Sequence, residues 1–456
     1  MAVRGSSQPR HVDVLVVGGG CSGGLAASLL REGFDRRGAD GSSTMSLHVW
    51  EWARGPAGRM STFWWEDEEG RRHVADLGAQ VFSTPDAGEA EQLRQLGAVD
   101  ATGLALTTPE RPPHWTHLWA PGGMTELLRR RLEVARADDV AFGRRVTGIW
   151  LDGGCWHVEA RGDSGGNGRV RKHFDVVVFA GTASDIINIE GFRGAVGSDN
   201  AAALDRVRYD HRLAVALMLA PQLEEKMQTV FGIDNAELDL EKEGAVLGLL
   251  SWQDRKHRQH ASRTVLVAHS TCRFAASNLQ RAKDLRRHPK EVGFEGIVGA
   301  LAERLEMSVG ELRRSILDSK VVHWRQCQMQ RRVQLPGFCL EVLPVASGGP
   351  LLVACGDYFA EGNYHGCVKS ATAAASAVLS WTGRTVAPAA ASAGYPGSAK
   401  IDPSSRPARR WNSAADTSTR TEDLVKVEAA TASQGTTSRG SEAQAPRPKA
   451  RWQRKS

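Results

Sequence analysis

Short apolar runs of strand length recur along the chain, and the clearest one lies near its start. Residues 12–17 read Val-Asp-Val-Leu-Val-Val, a glycine cluster follows, and Leu25 to Leu30 has the apolar density of a helix. This order of strand, tight turn and helix predicts the opening of a βαβ unit. Leu47 to Glu51 is its predicted second strand, after a loop of polar and glycine residues from Gly33 to Ser43. The two strands should be parallel, with a right-handed crossover.

Later apolar runs fall into two groups. Asp175 to Ala180 and Leu351 to Cys355 are flanked by turn residues and are typical of strands buried on both faces of a parallel sheet. The runs between them predict a separate unit with strands at Leu213 to Leu219, Ala245 to Trp252 and Thr264 to His269 and a helix at Gly296 to Leu305. The pattern therefore predicts an α/β protein with a doubly wound Rossmann-type domain and a second, mixed α+β substrate domain.

The predicted domain division places the nucleotide-binding domain in three separate parts of the chain. Its parts are 11–85, 141–195 and 346–385, with a flexible N-terminus at 1–10, a substrate-side segment at 86–140, a substrate domain at 196–345 and a basic tail at 386–456. The tail is rich in Ala, Ser, Thr, Pro and Gly, so it has too few apolar residues to offset the entropy of ordering. We expect it to be disordered.

The net charge of +6 does not by itself indicate a nucleic-acid partner, because the excess of basic residues lies in the C-terminal tail. Residues 387–456 contain twelve Lys or Arg and six Asp or Glu, so the tail supplies the whole excess. Arg447 to Lys455 is the most basic stretch, but no folded nucleic-acid module accompanies it. We expect no nucleic-acid partner, and any partner of the tail is unknown.

Other features of the sequence bear on where the protein is located in the cell and on whether it binds a metal. No run of 18 or more apolar residues is present, so we expect no membrane span, and the short polar start at Met1 to Arg10 leaves no room for a secretion signal. The seven cysteines are odd in number, scattered and without a CxxC pair, which disfavours structural zinc and a disulfide framework. A soluble, cytoplasmic protein without a metal is the expectation.

The glycine cluster carries the first chemical signal. Gly18, Gly20 and Gly23 have the spacing GxGxxG between a predicted strand and a predicted helix. In that setting the glycines permit a tight turn, close approach of a pyrophosphate and helix packing, and the helix N-terminus presents free N–H groups to phosphate. Glu51 ends the second strand, where an acidic residue binds the ribose hydroxyls of FAD or NAD. The fingerprint alone does not separate these two cofactors.

A second segment makes the pattern more specific. Gly58-Arg59-Met60-Ser61 follows the second strand, and Asp76-Leu77-Gly78-Ala79-Gln80 comes after it. Near the end of the predicted folded body, Gly356-Asp357 precedes a helix rich in small residues. Three motifs therefore follow one another: the glycine fingerprint, the Gly58–Ser61 segment together with Asp76–Gln80, and Gly356-Asp357 before a helix. In this order they resemble the renalases and more distantly the flavin amine oxidases, over approximately residues 11–382. Ala57 stands where that family usually has a glycine.

The resemblance implies FAD as the cofactor and assigns its contacts. Arg59 would bind the pyrophosphate, Asp357 the ribityl hydroxyls, and a helix beginning near Gly366 would direct its positive end at the flavin. The full predicted cofactor set is Gly18, Gly20, Ser22, Gly23, Glu51, Arg59, Gln80, Val81, Val146, Gly356, Asp357 and Gly366. In this set Gln80 and Val81 would line the flavin through backbone groups and side chain, and Val146 would bracket the adenine.

The resemblance also implies a reaction. Renalase-like proteins oxidise aberrant dihydro isomers of NAD(P) by hydride transfer to flavin N5, release NAD(P)⁺ and pass the electrons to O2, which becomes hydrogen peroxide. Segments at Val265 to His269 and His323 to Gln326 also resemble the renalases. The candidate substrate-pocket residues are Trp324 for stacking, Arg325 for phosphate, and His269 and Asn363 for hydrogen bonding.

Two alternatives stay open on the sequence. The same scaffold supports oxidation of a primary or secondary amine, which a pair of aromatic side chains facing each other over the flavin would favour. An alternative of another class is a flavin-binding scaffold with little turnover, recruited through the basic tail.

Overall fold

The computed structural model describes residues 10–38, 43–56, 58–67, 69–101, 105–106, 114–162, 168–241, 244–257, 263–343 and 349–382. All of them lie in the first of the chain's two units, Met1–Val425, whereas the second unit, Lys426–Ser456, lies wholly outside them. The predicted disordered tail, the predicted flexible N-terminus up to residue 9 and part of the predicted loop after Gly33 therefore fall outside the described residues.

Strands and helices alternate through the described part of the chain. The strands are β1 Arg10–Val17, β2 Ser43–Trp50, β3 Thr62–Glu66, β4 Arg72–Asp76, β5 Phe82–Thr84, β6 Val99–Asp100, β7 Ala105–Leu106, β8 Thr116–Trp119, β9 Asp139–Ala141, β10 Arg144–Asp152, β11 Cys155–Gly162, β12 Arg169–Phe174, β13 Val176–Phe179, β14 Arg208–Tyr209, β15 Arg212–Leu219, β16 Asn235–Asp239, β17 Leu247–Trp252, β18 Thr264–Ser270, β19 Ile316–Trp324, β20 Met329–Arg331, β21 Leu340–Val342 and β22 Leu351–Ala354. The helices are α1 Cys21–Gly38, α2 Ala87–Gln95, α3 Met124–Ala135, α4 Ala183–Ile186, α5 Phe192–Val196, α6 Ser198–Asp205, α7 Glu224–Phe231, α8 Gln253–His257, α9 Cys272–Asp284, α10 Pro289–Arg304, α11 Val309–Ser315 and α12 Tyr364–Trp381.

The first sheet has the order β21-β22-β13-β1-β2-β9 and is parallel except at its edge strand β21. Val12, Val14 and Val16 of β1 pack against α1 and α12 on one face, while Leu15 packs on the other. All four are fully buried, which explains why this strand is apolar with little alternation. The predicted strands at 12–17, 175–180 and 351–355 are confirmed within a residue or two.

The predicted loop from Gly33 to Ser43 is wrong in its first half, because α1 continues to Gly38. Gly33 lies inside the helix, where a Cβ atom would come within 2.5 Å of Leu379 on α12. The glycine therefore allows two long helices to pack closely, and this tertiary contact outweighs its weak helix propensity. The second strand begins earlier than predicted, at Ser43, and Glu51 directly follows it.

The second sheet has the order β19-β15-β18-β17-β16-β7 and is antiparallel except where β7 joins β16. One face packs against α9 and α10, and the three predicted strands in this region are confirmed. The predicted helix at 296–305 is the second half of the longer α10, which begins with Pro289 after the cap residue His288. The opposite face meets Trp65, Ala75 and Leu77 from the first half of the chain.

A smaller three-stranded sheet, β10-β11-β12, packs beside the first sheet. It includes the strand that the sequence predicts around Val146. Within the ranges described above, no helix has both the length and the apolar character needed to cross a membrane.

Candidate functional site

A cleft with a volume of about 1820 Å³ opens beside the carboxyl ends of β1 and β2. In open α/β sheets, ligands bind at this end of the strands. The predicted site residues that line the cleft are Gly18, Gly20, Ser22, Glu51, Arg59, Gln80, Val81, Val146, His269, Trp324, Arg325, Gly356, Asp357 and Asn363. Gly23 and Gly366 are the two predicted residues outside its lining. Motifs that are far apart in the sequence therefore meet in one place.

The glycine turn after β1 is tightly closed. Gly18 has a φ of +112°, in the region that favours glycine, and a Cβ atom on Gly23 would lie 1.9 Å from the Gly18 carbonyl oxygen. Gly23 thus contributes to the packing of the turn. Gly20 and Ser22 border the cleft at the N-terminus of α1, where the helix dipole favours an anionic group.

Glu51 holds this turn from the end of β2. Its Oε2 accepts a hydrogen bond from the N–H of Gly19 at 2.6 Å, and its Oε1 accepts one from the N–H of Ala53 at 2.6 Å. Burial raises the pKa of Glu51, and these two N–H groups oppose the rise. Binding of a ribose by Glu51 stays a prediction.

Arg59 and Asp357 form a bidentate ion pair across the cleft wall. Arg59 donates to the two carboxylate oxygens of Asp357 at 2.7 and 2.8 Å and to the carbonyl of Cys327 at 3.1 Å. The Asp357 side chain is 3% exposed and that of Arg59 is 31% exposed. Because a guanidinium has five N–H donors, Arg59 keeps two beyond these bonds for an anion in the cleft.

The first turn of α12 forms another part of the wall. The helix begins at Tyr364, slightly before the predicted start near Gly366, because the Asn363 side chain caps it by accepting from the N–H of Gly366 at 2.9 Å. A Cβ atom on Gly366 would lie 2.0 Å from the carbonyl oxygen of Glu361. Asn363 therefore positions the helix, and Gly366 permits the close turn before it.

The segment from Asp76 to Gln80 lies between the two sheets. A Cβ atom on Gly78 would lie 1.9 Å from the carbonyl oxygen of Arg59, so only glycine lets these two motifs pass each other. The Gln80 amide donates to the carbonyls of Asp76 and Gly78 at 2.6 and 2.9 Å. Its oxygen accepts from Lys256 at 3.0 Å. The Gln80 side chain is thus bound within the protein, and Leu77 to Gln80 line the cleft.

Lys256 is the main residue that the sequence did not reveal. Its Nζ lies 2.8 Å from Asp76 Oδ2, and both side chains are 0% exposed. Burial alone would raise the pKa of Asp76, but Lys256 and His257 outweigh it and hold this pKa well below its usual range. Asp76 also accepts from Thr62 and from the N–H of Met124. In the sequence, Lys256 lies in the polar run Gln253 to His257, whose composition is typical of an exposed surface helix, so its burial is not predicted.

Two predicted substrate residues converge on one carbonyl oxygen. His269 Nε2 lies 3.0 Å from the Leu77 oxygen, and the Trp324 indole N–H donates to the same oxygen at 3.1 Å. Burial lowers the pKa of His269 to about 4, and the charge of Arg212 adds to this effect. His269 is therefore neutral at pH 7, and the bond to Leu77 requires its proton to be on Nε2.

Nitrogen-bearing side chains, two of them cationic, gather at the end of the cleft formed by the second sheet. His288, Lys290, His323 and Arg325 all line it. Burial lowers the pKa of His323 to about 4, and the nearby His211, Arg325, Lys290 and His288 lower it further. The lining there also includes two carboxylates, Asp239 and Glu241, the second of which is paired with Arg212 at 2.7 Å.

Comparison with known proteins agrees with this geometry. A family model described as an NAD(P)-binding Rossmann-like domain matches residues 16–96. Renalase from Mus musculus is 24% identical over 370 residues, which cover 78% of this chain and 96% of that protein. The chain is therefore similar to renalase over most of the length of both proteins.

Solved structures share the fold of this renalase-like chain. Putrescine oxidase in complex with putrescine has a TM-score of 0.51 at 13% identity, with 82% of this chain and 99% of that chain covered. A protein assigned as a protoporphyrinogen oxidase from Exiguobacterium sp. 255-15 has a TM-score of 0.56 at 10% identity, with 82% and 99% covered. The chain therefore has the fold of these two proteins.

The residues that line the cleft fit FAD, the cofactor that the sequence predicts. The N-termini of α1 and α12 both border the cleft and favour anionic groups. The turn at Gly18 leaves no space for a side chain at Gly23, as a dinucleotide fingerprint requires. Arg59 lines the same cleft and has two N–H donors beyond its bonds to Asp357 and Cys327.

We expect Lys256→Met to lower the free energy of unfolding by about 3–5 kcal/mol, because it leaves the Asp76 carboxylate buried without its cationic partner. Chemical denaturation of the FAD-bound protein measures this loss. Lys226→Met is the matched control, since Lys226 is exposed and donates to the Leu305 carbonyl at 3.2 Å. Equal stability of the two variants would contradict the role of the buried pair.

The stability of the protein should fall between pH 6.5 and 4 in a way that depends on His269. The unfolded imidazole takes up a proton below about pH 6.5, whereas the buried one stays neutral down to about pH 4. Its contribution is therefore complete above about pH 6.5 and is lost as the pH falls, by roughly 3 kcal/mol in all.

Unfolding measurements from about pH 7.5 to about pH 4.5 test this dependence. His269→Gln keeps an N–H donor for Leu77 and should show a shallower loss of stability toward acid. The same replacement at the exposed His11 should retain the wild-type slope. An unchanged slope in His269→Gln would show that this imidazole is protonated in the folded state as readily as in the unfolded chain.

Proposed function

We propose that this FAD-dependent oxidase takes hydride from dihydronicotinamide isomers of NAD(P), releases NAD(P)⁺ and reduces O2 to hydrogen peroxide. FAD supplies the two-electron acceptor for this chemistry when bound. The proposal rests mainly on two cationic side chains at the substrate end of the cleft, Lys290 and Arg325. A nicotinamide dinucleotide carries phosphates that these side chains attract, whereas a protonated amine is repelled by them.

The size of the cleft supports a large substrate. Pockets for a single drug-sized ligand usually have volumes of about 300–1,000 Å³. The cleft of about 1820 Å³ exceeds that range, so it has space for the cofactor and for a second molecule of nucleotide size.

We assign the cofactor contacts as the sequence predicts them. The assigned residues are Gly18, Gly20, Ser22, Gly23, Glu51, Arg59, Gln80, Val81, Val146, Gly356, Asp357 and Gly366. Supporting observations are the tight glycine turn, the shared cleft wall and the remaining donors of Arg59. We also propose the predicted domain division, with the first sheet in the nucleotide-binding parts and the second sheet mainly in the substrate domain at 196–345.

On the substrate side, the four candidate residues have different tasks. The Trp324 indole N–H is engaged with Leu77, so the ring face is what this residue offers for stacking. His269 holds the same carbonyl and, being neutral, adds no charge beside the cofactor. Arg325 is exposed and carries a permanent charge toward a phosphate. Asn363 acts through the cap of α12.

Anaerobic mixing of the FAD-bound protein with equilibrated dihydronicotinamide isomers should bleach the visible absorbance of the flavin rapidly. Separate mixing with simple amines, including putrescine, should leave the absorbance unchanged. Readmission of O2 should restore the oxidised spectrum with one hydrogen peroxide per flavin. Bleaching by amines alone would assign an amine oxidase, and bleaching by neither donor would favour a flavin-binding scaffold with little turnover.

Arg325→Gln should raise KM for the dinucleotide isomers by roughly 10- to 100-fold, because a hydrogen bond to a charged group contributes about 1.5–3 kcal/mol. kcat should change little, since the contact is remote from the transferred hydride. Steady-state oxygen consumption measures both constants. Arg331→Gln is the control, since Arg331 is exposed on β20 and does not line the cleft. An equal effect on both variants would remove Arg325 from the substrate site.

A further inference from the structure

A line of arginines crosses one face of the small sheet formed by β10, β11 and β12. Arg145 of β10 lies opposite Arg161 of β11, and Arg161 lies opposite Arg169 of β12. All three residues, which we call the arginine line, are exposed. Residues directly opposite each other on antiparallel strands have Cβ atoms about 4.5–5.5 Å apart, and like charges in that arrangement repel. The arginine line therefore destabilises the free sheet.

Nearby carboxylates neutralise this charge in part. Glu159 of β11 lies 2.8 Å from Arg171, its opposite residue on β12, and 3.7 Å from Arg169. The Glu159 side chain is 12% exposed, so it is held between these two arginines. Within the residues that the structure describes, neither Arg145 nor Arg161 forms an ion pair with a carboxylate. Two of the three positions in the arginine line thus keep their positive charge without a partner of opposite sign.

Three arginines of this sheet line a pocket with a volume of about 470 Å³. They are Arg161, Arg169 and Arg171. The volume lies within the range of roughly 300–1,000 Å³ that is usual for sites of small ligands. Glu159 and the exposed Glu190 also line the pocket, so it has three guanidinium groups and two carboxylates, one of which is already paired. The pocket therefore favours an anion.

We propose that this pocket binds a small anion with two or more phosphate groups, either a free polyphosphate or the phosphate chain of a nucleotide. Guanidinium groups bind phosphate oxygens through pairs of parallel N–H bonds and remain charged at every physiological pH. Neighbouring strands lie about 4.8 Å apart, so the arginine line spans about 10 Å, more than one phosphate group covers. A bound phosphate chain supplies the negative charge that Arg161 lacks and relieves the repulsion along the line.

The pocket lies next to the cofactor cleft but is distinct from it. Arg161, Arg169 and Arg171 line the pocket and not the cleft, whereas Thr147 lines both. Thr147 follows Val146, which the sequence predicts to bracket the adenine of FAD. Anion binding in the pocket can therefore be measured on the FAD-bound protein, and its outcome does not depend on the proposed oxidase reaction.

Isothermal titration calorimetry of the FAD-bound protein with inorganic tripolyphosphate tests the proposal. We expect saturable binding that weakens as the salt concentration rises. Arg161→Gln should weaken it by roughly 10- to 100-fold, because each hydrogen bond to a charged group is a strong one. Glu190→Gln should strengthen binding, since it removes a carboxylate from the lining. Arg206→Gln is the matched control, because Arg206 is exposed and lines neither cavity.

A second control separates this pocket from the cleft. Arg325→Gln removes a cationic side chain from the cleft and should leave the affinity for tripolyphosphate unchanged. Because Arg161 is exposed and its charge is repelled by its neighbours, Arg161→Gln should be at least as stable as the wild type in chemical denaturation. A loss of binding in that variant is then a loss of the site and not of the fold.

Comparison of tripolyphosphate with ATP distinguishes the two sources of the phosphate chain. Equal affinities assign a free polyphosphate, and tighter binding of ATP assigns a nucleotide. The absence of tripolyphosphate binding, binding of a DNA duplex alone, or binding that is lost in Arg325→Gln and kept in Arg161→Gln would each overturn the proposal.

Discussion

A fully buried ion pair between Lys256 and Asp76 holds the cofactor-side wall of the cleft to the substrate-side sheet. Lys256 comes from α8, directly after β17, and Asp76 ends β4, so the pair joins parts of the chain that are 180 residues apart. A buried charge without a partner is costly, so the two segments keep one relative position. That position places the Leu77 carbonyl where His269 and Trp324 both reach it.

The nucleotide-binding half of the fold follows from local patterns. A fully apolar strand, glycines at fixed spacing and a helix are contiguous in the sequence, so the unit around Gly18 is predictable. The extent of α1 is not, because Gly33 reads as a helix end until α12 packs against it. The capping role of Asn363 and the burial of Lys256 are also not predictable from the sequence. Each depends on a contact with another residue that the sequence alone does not reveal.

The pairing of Arg59 with Asp357 is a contact within the cleft that the sequence likewise did not predict. The sequence assigns each residue to a separate part of the cofactor, and each assignment rests on a local motif. The structure brings the two side chains together in a bidentate contact, so each also fixes the other's orientation. Preorganisation of this kind reduces the side-chain entropy lost when an anion binds.

The contact between Arg59 and Asp357 spans 298 residues and has a consequence for the order of synthesis. The glycine turn leaves the ribosome early, yet β22 and α12, which complete the first sheet and the cleft wall, are made only near the end of the folded body. A nascent chain that stops before Asp357 has the glycine turn but lacks this part of the cleft wall. The cleft is therefore complete only when nearly all of residues 10–382 have been made, and a product truncated before Asp357 would have an unfinished cleft.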